Sequence, residues 1–466
     1  MRPLPQCRTF NSSAVERVID DMNVRLKDPD LARLFENTFP NTLDTTVKYF
    51  NETENLAFII TGDITAQWLR DTANQFSHYK SILAHDASLS ALVRAVINNE
   101  ARYISKYPYC GAFQPPPQSG LKPSHNDWAD NVYVYPPVDS DTVFECKYEL
   151  DSLCGFLKLS SSYYEGTKDS SFANRNWFNA IEQIFRVIYE QSQPTFDEDF
   201  NILRYYSWTG LPGSLPGHVN NGGLGEPKGY TGMVGTHHRP SDDLSSLPFL
   251  IPANAMLSVE LSKLSSVLNS LIPALKGPNL VHLAKKYASD AEIYSNRTRK
   301  AIYRYGVTED GVFAYEVNGL GSRYLMDDAN VPSLLSLPYL GFVDKHEKTF
   351  QKTKEMLFSR RNPYYTRGTS FYGIGGPHVS ATSPWPMALI SAIYASDSPT
   401  EVSSLLTVLI NSTSGLGLIH ESVNIHEGWY TRPWFAWANS YFAEMLLDLA
   451  RRMPEVVMKD GKPYMP

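Results

Sequence analysis

The sequence predicts an all-α protein, a toroid of antiparallel helical hairpins with minor short β pieces in its loops. Helical periodicity recurs along almost the whole chain, and about eleven helical segments alternate with connections. The longest connections are rich in Gly, Pro, Trp, Tyr, His and Asp and poor in Lys and Glu, a composition that suits ordered functional loops.

Apolar spacing predicts helices over 12–27, 64–84, 88–106, 147–164, 174–192, 250–272, 278–304, 346–358, 384–395, 399–411 and 432–452. Val15, Val18, Ile19 and Met22 mark the first; Trp434, Trp437, Tyr441 and Met445 mark the last. Short β pieces are expected at 45–50, 56–60, 311–316 and 203–208, and long loops at 109–138, 205–244, 318–337 and 361–386. No fixed-period repeat or linker-like composition shift divides the chain, so residues 1–466 read as one domain whose loops gather at one end to form a site.

Hydrophobic residues make up 42% of the 466, enough for a substantial core. A formal net charge of −7 gives no support to a nucleic-acid or anionic-membrane partner. No apolar run approaches the roughly 18 residues of a membrane span. The first eight residues lack the apolar stretch of a signal peptide. Localisation is therefore cytoplasmic, or secreted or in the secretory-pathway lumen if a leader was removed. Sequons at Asn11, Asn51, Asn296 and Asn411 lean slightly to the second. Cys7, Cys110, Cys146 and Cys154 are too sparse for a disulfide scaffold and leave their pairing open. Neither Cys-x-x-Cys nor His-x-x-x-His occurs, and no metal or cofactor is expected.

Residues 61–75 are the most informative stretch. As a helix capped by Thr61 or Asp63, it places Asp63, Gln67, Arg70, Asp71 and Asn74 on one arc, with Trp68 at its border. That arc has no Lys or Glu, unlike an ordinary solvated helix face. Short carboxylates, amides and one Arg suit hydroxyl pairs, and an indole stacks on a sugar's C–H face. Thr236–Ser245 carries the pair Asp242 and Asp243, which serves either as a turn and cap or as like charges that push one pKa upward. A carboxyl kept protonated near neutrality is what a glycosidase needs to protonate a departing oxygen. Glu421 follows an apolar run and is costly there unless His420 or Arg432 pairs with it or it serves as a general base. Asp327 and Asp328 read as turn and capping residues. Grouped with Asp63 and Asp71 they would suit a hard cation, but no EF-hand spacing supports it. Phosphate-binding loops and a Gly-x-Ser-x-Gly elbow are absent.

These segments resemble glycoside hydrolase family 125, the exo-α-1,6-mannosidases. The similar stretches are 61–75, Glu149-Leu-Asp, Arg239-Pro-Ser-Asp-Asp, Leu250-Ile-Pro-Ala-Asn, 326–340, Arg361-Asn-Pro-Tyr-Tyr, Gly373-Ile-Gly-Gly-Pro-His, His420-Glu-Ser and 431–440, in order over almost the whole chain. The resemblance implies an (α/α)6 barrel and inverting, metal-independent hydrolysis of terminal α-1,6-linked mannose from glycans. It places the general acid in Arg239-Pro-Ser-Asp-Asp and the general base at Glu421. Asp242, directly after Ser241, is preferred as the acid, with Asp243 as fallback. Asp63, Trp68, Arg70, Asp71, Arg239, Asp243, His378 and Arg432 are expected to hold the sugar. Val423 and Gly376 depart from the family pattern, which has an aromatic residue and Ser there, and both bear on the shape of the sugar subsite. Two rivals are a catalytically retired glycan-binding protein and a toroidal glycosidase of another specificity.

Overall fold

In the computed structural model, which describes residues 2–210 and 220–466, six helices touch one another in a closed cycle. Leu69–Ser77 packs on Leu150–Thr167, which packs on Ile251–Leu271. The short helix Leu337–Leu340 follows, then Pro386–Tyr394, then Ala436–Arg452, which returns to Leu69–Ser77. Ala87–Lys106, Arg175–Ser192, Pro278–Tyr305 and Pro399–Asn411 pack against this cycle or against one another from outside. Composition explains the division. Every residue of Leu69–Ser77 is buried, whereas Arg175–Ser192 buries one stripe through Trp177, Ile181, Ile184 and Ile188.

The helix-rich architecture and minor strands match the sequence reading, with differences at particular elements. Residues 64–84 do not form one helix. Gln67–Trp68 pairs antiparallel with Ala112–Phe113, which pairs with Val143–Glu145, and the helix starts only at Leu69. Trp68 is its N-cap, so Thr61 and Asp63 cap nothing and Asp63 lies in a bend ahead of the helix. Gly62 forces that path. Its φ is 144°, and a Cβ there would lie 2.4 Å from the Trp434 carbonyl oxygen. The sequence reading also misses Pro29–Thr38, although Asp28 accepts from the Asp30 and Leu31 N–H groups in a regular N-cap with Pro at the first position.

Two expected strands appear as the antiparallel pair Val47–Asn51 and Leu56–Ile59. The others shift: Ser207–Gly210 pairs with Val132–Tyr135, and Glu316–Val317 lies between Phe249–Leu250 and Arg323–Tyr324. Residues 211–219 of the expected 205–244 loop lie outside the described residues. A disulfide joins Cys110 to Cys146, while Cys7 and Cys154 are free thiols. No described helix is long and apolar enough to cross a membrane.

Candidate active site

Loops at one end of the helical cycle line a small cavity. Its wall carries four carboxylates, Asp63, Asp71, Asp242 and Glu421, together with Arg70, Arg432 and His378. Trp68, Trp385, Phe435 and Trp437 supply the apolar surface.

The first turn of Leu69–Ser77 delivers Arg70 and Asp71 to the cavity. Asp242 sits at the tip of a tight turn with φ of 68°, closed by its own N–H donating to the Arg239 carbonyl. The Arg239 N–H donates in return to the Asp243 carbonyl at 2.7 Å. Such a left-handed residue persists only where surroundings over-determine it. Arg239 does so from behind: its Nε donates to Glu316 Oε1 at 2.6 Å, and its guanidinium lies over Tyr315 and Tyr324. The other Glu316 oxygen accepts from the Ser246 and Leu247 N–H groups. Across the cavity, Glu421 is held by Arg432, whose Nε donates to Glu421 Oε1 at 3.0 Å and whose Nη1 donates to Asp63 Oδ1 at 2.7 Å. Asn439 fixes the preceding loop by accepting from the Ile419 N–H.

Arg70 is the electrostatic centre of the acid-side wall. Its Nη1 lies 2.5 Å from Glu149 Oε2, and its Nη2 lies 3.3 Å from Asp71 and 3.5 Å from Asp242. Asp151 is 3.7 Å away. Four carboxylates around one guanidinium cannot all stay ionised at low cost out of water. Burial therefore pushes Glu149 well above the usual carboxylate range, against the pull of Arg70 and with help from the Asp242 charge. Asp71 and Asp151 are each raised by burial to about 6. Asp242 goes the other way: burial would raise it, but Arg70 and Lys147 together hold it below its ordinary value. The sequence reading expects one raised carboxyl within the Asp242–Asp243 pair; the carboxyl raised beside Asp242 is Glu149, which shares Arg70 with it. His378 is raised to about 9; burial opposes this, but Asp243, Glu421 and Asp242 outweigh it.

Two donors in the wall are unspent. The indole N–H groups of buried Trp385 and Trp437 have no hydrogen-bond partner among the described residues. Buried polar atoms of this kind call for a ligand or solvent partner.

Among the residues proposed from sequence, Asp63, Trp68, Arg70, Asp71, Asp242, His378, Glu421 and Arg432 all line this one cavity. Arg239 and Asp243 are not among its lining residues. Arg239 is spent on Glu316, while Asp243 accepts from Ser241 Oγ at 2.7 Å and lies 3.5 Å from His378 Nδ1. Asp327 accepts from the Leu334 and Leu335 N–H groups and so ties a turn together, the turn role its sequence suggests; it caps no helix. Gly376 is tightly placed, since a Cβ there would meet Asp328 Oδ2 at 2.9 Å. Glu149 and Asp151 carry no role that the sequence reveals, because carboxylates at the head of an apolar helix read as caps. Trp385, Phe435 and Trp437 look like core residues in sequence, and their spacing alone does not reveal that they border a cavity.

Residues 28–447 match the family described as metal-independent α-mannosidase, GH125. The meiotically up-regulated gene 157 protein of Schizosaccharomyces pombe is 44% identical, over 99% of this chain and 90% of its own length. A solved metal-independent α-mannosidase from Streptococcus pneumoniae, in a non-productive complex with α-1,6-mannobiose, is similar with a TM-score of 0.84. It is 28% identical, over 94% of this chain and 99% of that one. A GH78 rhamnosidase from Bacillus sp. GL1 shares the fold at a TM-score of 0.50 and 10% identity, over 92% of this chain and 36% of its own. Matched along nearly all its length, the chain belongs to glycoside hydrolase family 125, the metal-independent α-mannosidases.

Proposed function

We propose that this protein is an inverting exo-α-mannosidase that removes terminal α-1,6-linked mannose from glycans, built as a single (α/α)6-barrel domain. One observation carries the reading: Asp242 and Glu421 line the same small cavity, amid unpaired indole donors and charged groups suited to a polyhydroxylated sugar. The relative from Streptococcus pneumoniae, solved with α-1,6-mannobiose, favours that linkage.

In this reading Asp242 protonates the glycosidic oxygen as the bond to C1 breaks, and Glu421 takes a proton from the water attacking C1 from the opposite face. The product is β-mannose; Glu421 ends protonated and the Asp242–Glu149 pair ends one proton short, and exchange with solvent returns both to their starting state. Asp242 and Glu149 lie together on Arg70 and titrate as a coupled pair, and the proton Asp242 delivers is the one that pair holds. Asp63, Arg70, Asp71 and Arg432 orient the terminal sugar, with Trp68 as a wall. His378 adds positive charge beside the reacting centre. Arg239 and Asp243 act from behind, holding the turn that presents Asp242.

Proton NMR during hydrolysis of α-1,6-mannobiose tests the proposal. Initial release of β-mannose is expected, and initial α-mannose would overturn inversion. Asp242→Asn and Glu421→Gln should each lower kcat by about 10²–10⁴-fold, the range for removing a general acid or base. A glycan-binding protein would instead show no turnover to lose.

A further inference from the structure

Arg70 is held from two directions by one neighbouring helix. Its side chain meets Glu149 and Asp151 at the head of Leu150–Thr167. Its backbone meets the same helix further along. A Cβ on Gly155 would lie 2.9 Å from the Leu69 carbonyl oxygen and 3.2 Å from the Arg70 Cα, so the two helices touch backbone to backbone there. Lys158, three residues on and on the same face, continues the contact one turn along Leu69–Ser77. Its Nζ donates to Asn74 Oδ1 at 2.8 Å.

Asn74 belongs to the polar arc of 61–75 but is not among the residues lining the cavity. Its Nδ2 donates instead to the Arg70 carbonyl at 2.9 Å. An amide has a donor end and an acceptor end, whereas an ammonium can only donate. Lys158 on Oδ1 therefore fixes which end of the amide faces Arg70. The same ammonium donates to Tyr339 Oη at 2.8 Å, and that hydroxyl donates to Glu444 Oε2 at 2.8 Å. One chain of hydrogen bonds thus joins four of the six helices of the cycle. Burial pulls the Lys158 ammonium below its ordinary value, although Glu444 draws it back up. Hydrophobic replacements of buried ion pairs are often as stable, so packing alone does not call for a lysine here.

We infer that Lys158 is a positioning residue for the hydrolysis: it sets the Asn74 amide, and Asn74 holds the turn that presents Arg70 and Asp71 to the cavity. The inference rests on the mannosidase reading, in which Arg70 holds the Asp242–Glu149 pair and Asp71 orients the sugar.

Hydrolysis of α-1,6-mannobiose by the wild type, Lys158→Met, Asn74→Leu and the double variant tests it, with Tm measured on each. Both single variants should lower kcat by about tenfold, within the cost of up to about 10²-fold for misplacing a reacting group by roughly 1 Å. The double variant should be no slower than either, because both changes cut one link. Asn74→Asp keeps a partner for Lys158 and removes the donor to the Arg70 carbonyl. It should be as slow as Asn74→Leu, even where Lys158→Met fails to fold. A lower Tm with unchanged kcat in either single variant would overturn the inference and leave Lys158 a structural residue. Losses that multiply in the double variant, or wild-type kcat in Asn74→Asp, would overturn it as well. These outcomes leave the mannosidase reading intact. A wild type that cleaves no mannobiose would overturn both.

Discussion

Arg432 clamps Glu421: its Nε donates to Glu421 Oε1 at 3.0 Å while its Nη1 reaches Asp63, tying the proposed base to the opposite rim. The planar fork of arginine makes both bonds from one side chain, which an ammonium cannot reproduce with the same geometry. Arg432→Lys should therefore lower kcat by about 10-fold or more, since misplacing a reacting group by roughly 1 Å costs up to about 10²-fold. Steady-state kinetics on mannobiose read this directly; a loss confined to KM would mean that Arg432 only binds sugar.

In the proposed mechanism Glu149 shares with Asp242 the proton delivered to the leaving oxygen. Glu149→Gln preserves the shape and an oxygen that can accept from Arg70 and Ser152, but removes the titratable group beside Arg70. The expected outcome is a lower kcat, by up to about 10²-fold, with a shifted basic limb of the kcat–pH profile. A purely structural role would lower stability or rate at every pH without moving that limb.

His378 makes stability depend on pH. Its folded pKa, about 9, lies above the ordinary 6.5. The folded state therefore binds the proton more tightly than the unfolded chain. That contribution is complete below about pH 6.5 and disappears as pH rises through about 9. The difference in Tm between wild type and His378→Asn should thus be largest near pH 6 and shrink toward pH 10. An unchanged difference across that range would refute the assignment.

The Cys110–Cys146 disulfide closes a loop with a sequence separation of 36 residues. Loop-entropy arguments put the stabilisation from such a crosslink at about 4 kcal/mol. Cys110→Ser should lower the denaturant midpoint accordingly, and reductant should have the same effect on the wild type and none on the variant.

Legibility in the sequence followed the range of the forces involved. Ala87–Lys106, Arg175–Ser192 and Pro278–Tyr305 were readable because an amphipathic stripe is a local pattern. The misreading of 64–84 came from a long-range event, the capture of Gln67–Trp68 by the Ala112–Phe113 strand. Pro29–Thr38 had its cap and proline in plain view and was overlooked. Within the site, Asp242, Glu421 and Arg70 were conspicuous as charges in apolar or aromatic surroundings. Glu149 was not, because only burial behind Arg70 distinguishes it from a helix cap. Arg239 is expected at the sugar only through the family resemblance; its partner Glu316 lies 77 residues away, and no local pattern announces it.

The bond between Arg432 and Asp63 spans 369 residues of sequence, and the helical cycle closes only when Ala436–Arg452 meets Leu69–Ser77. Contacts of such separation form late, after the loop-closure entropy of the intervening chain has been overcome. During synthesis the cavity cannot exist until the last of the six helices has emerged. Partly made or truncated chains are thereby silent, and hydrolytic activity becomes a report that the whole ring has closed.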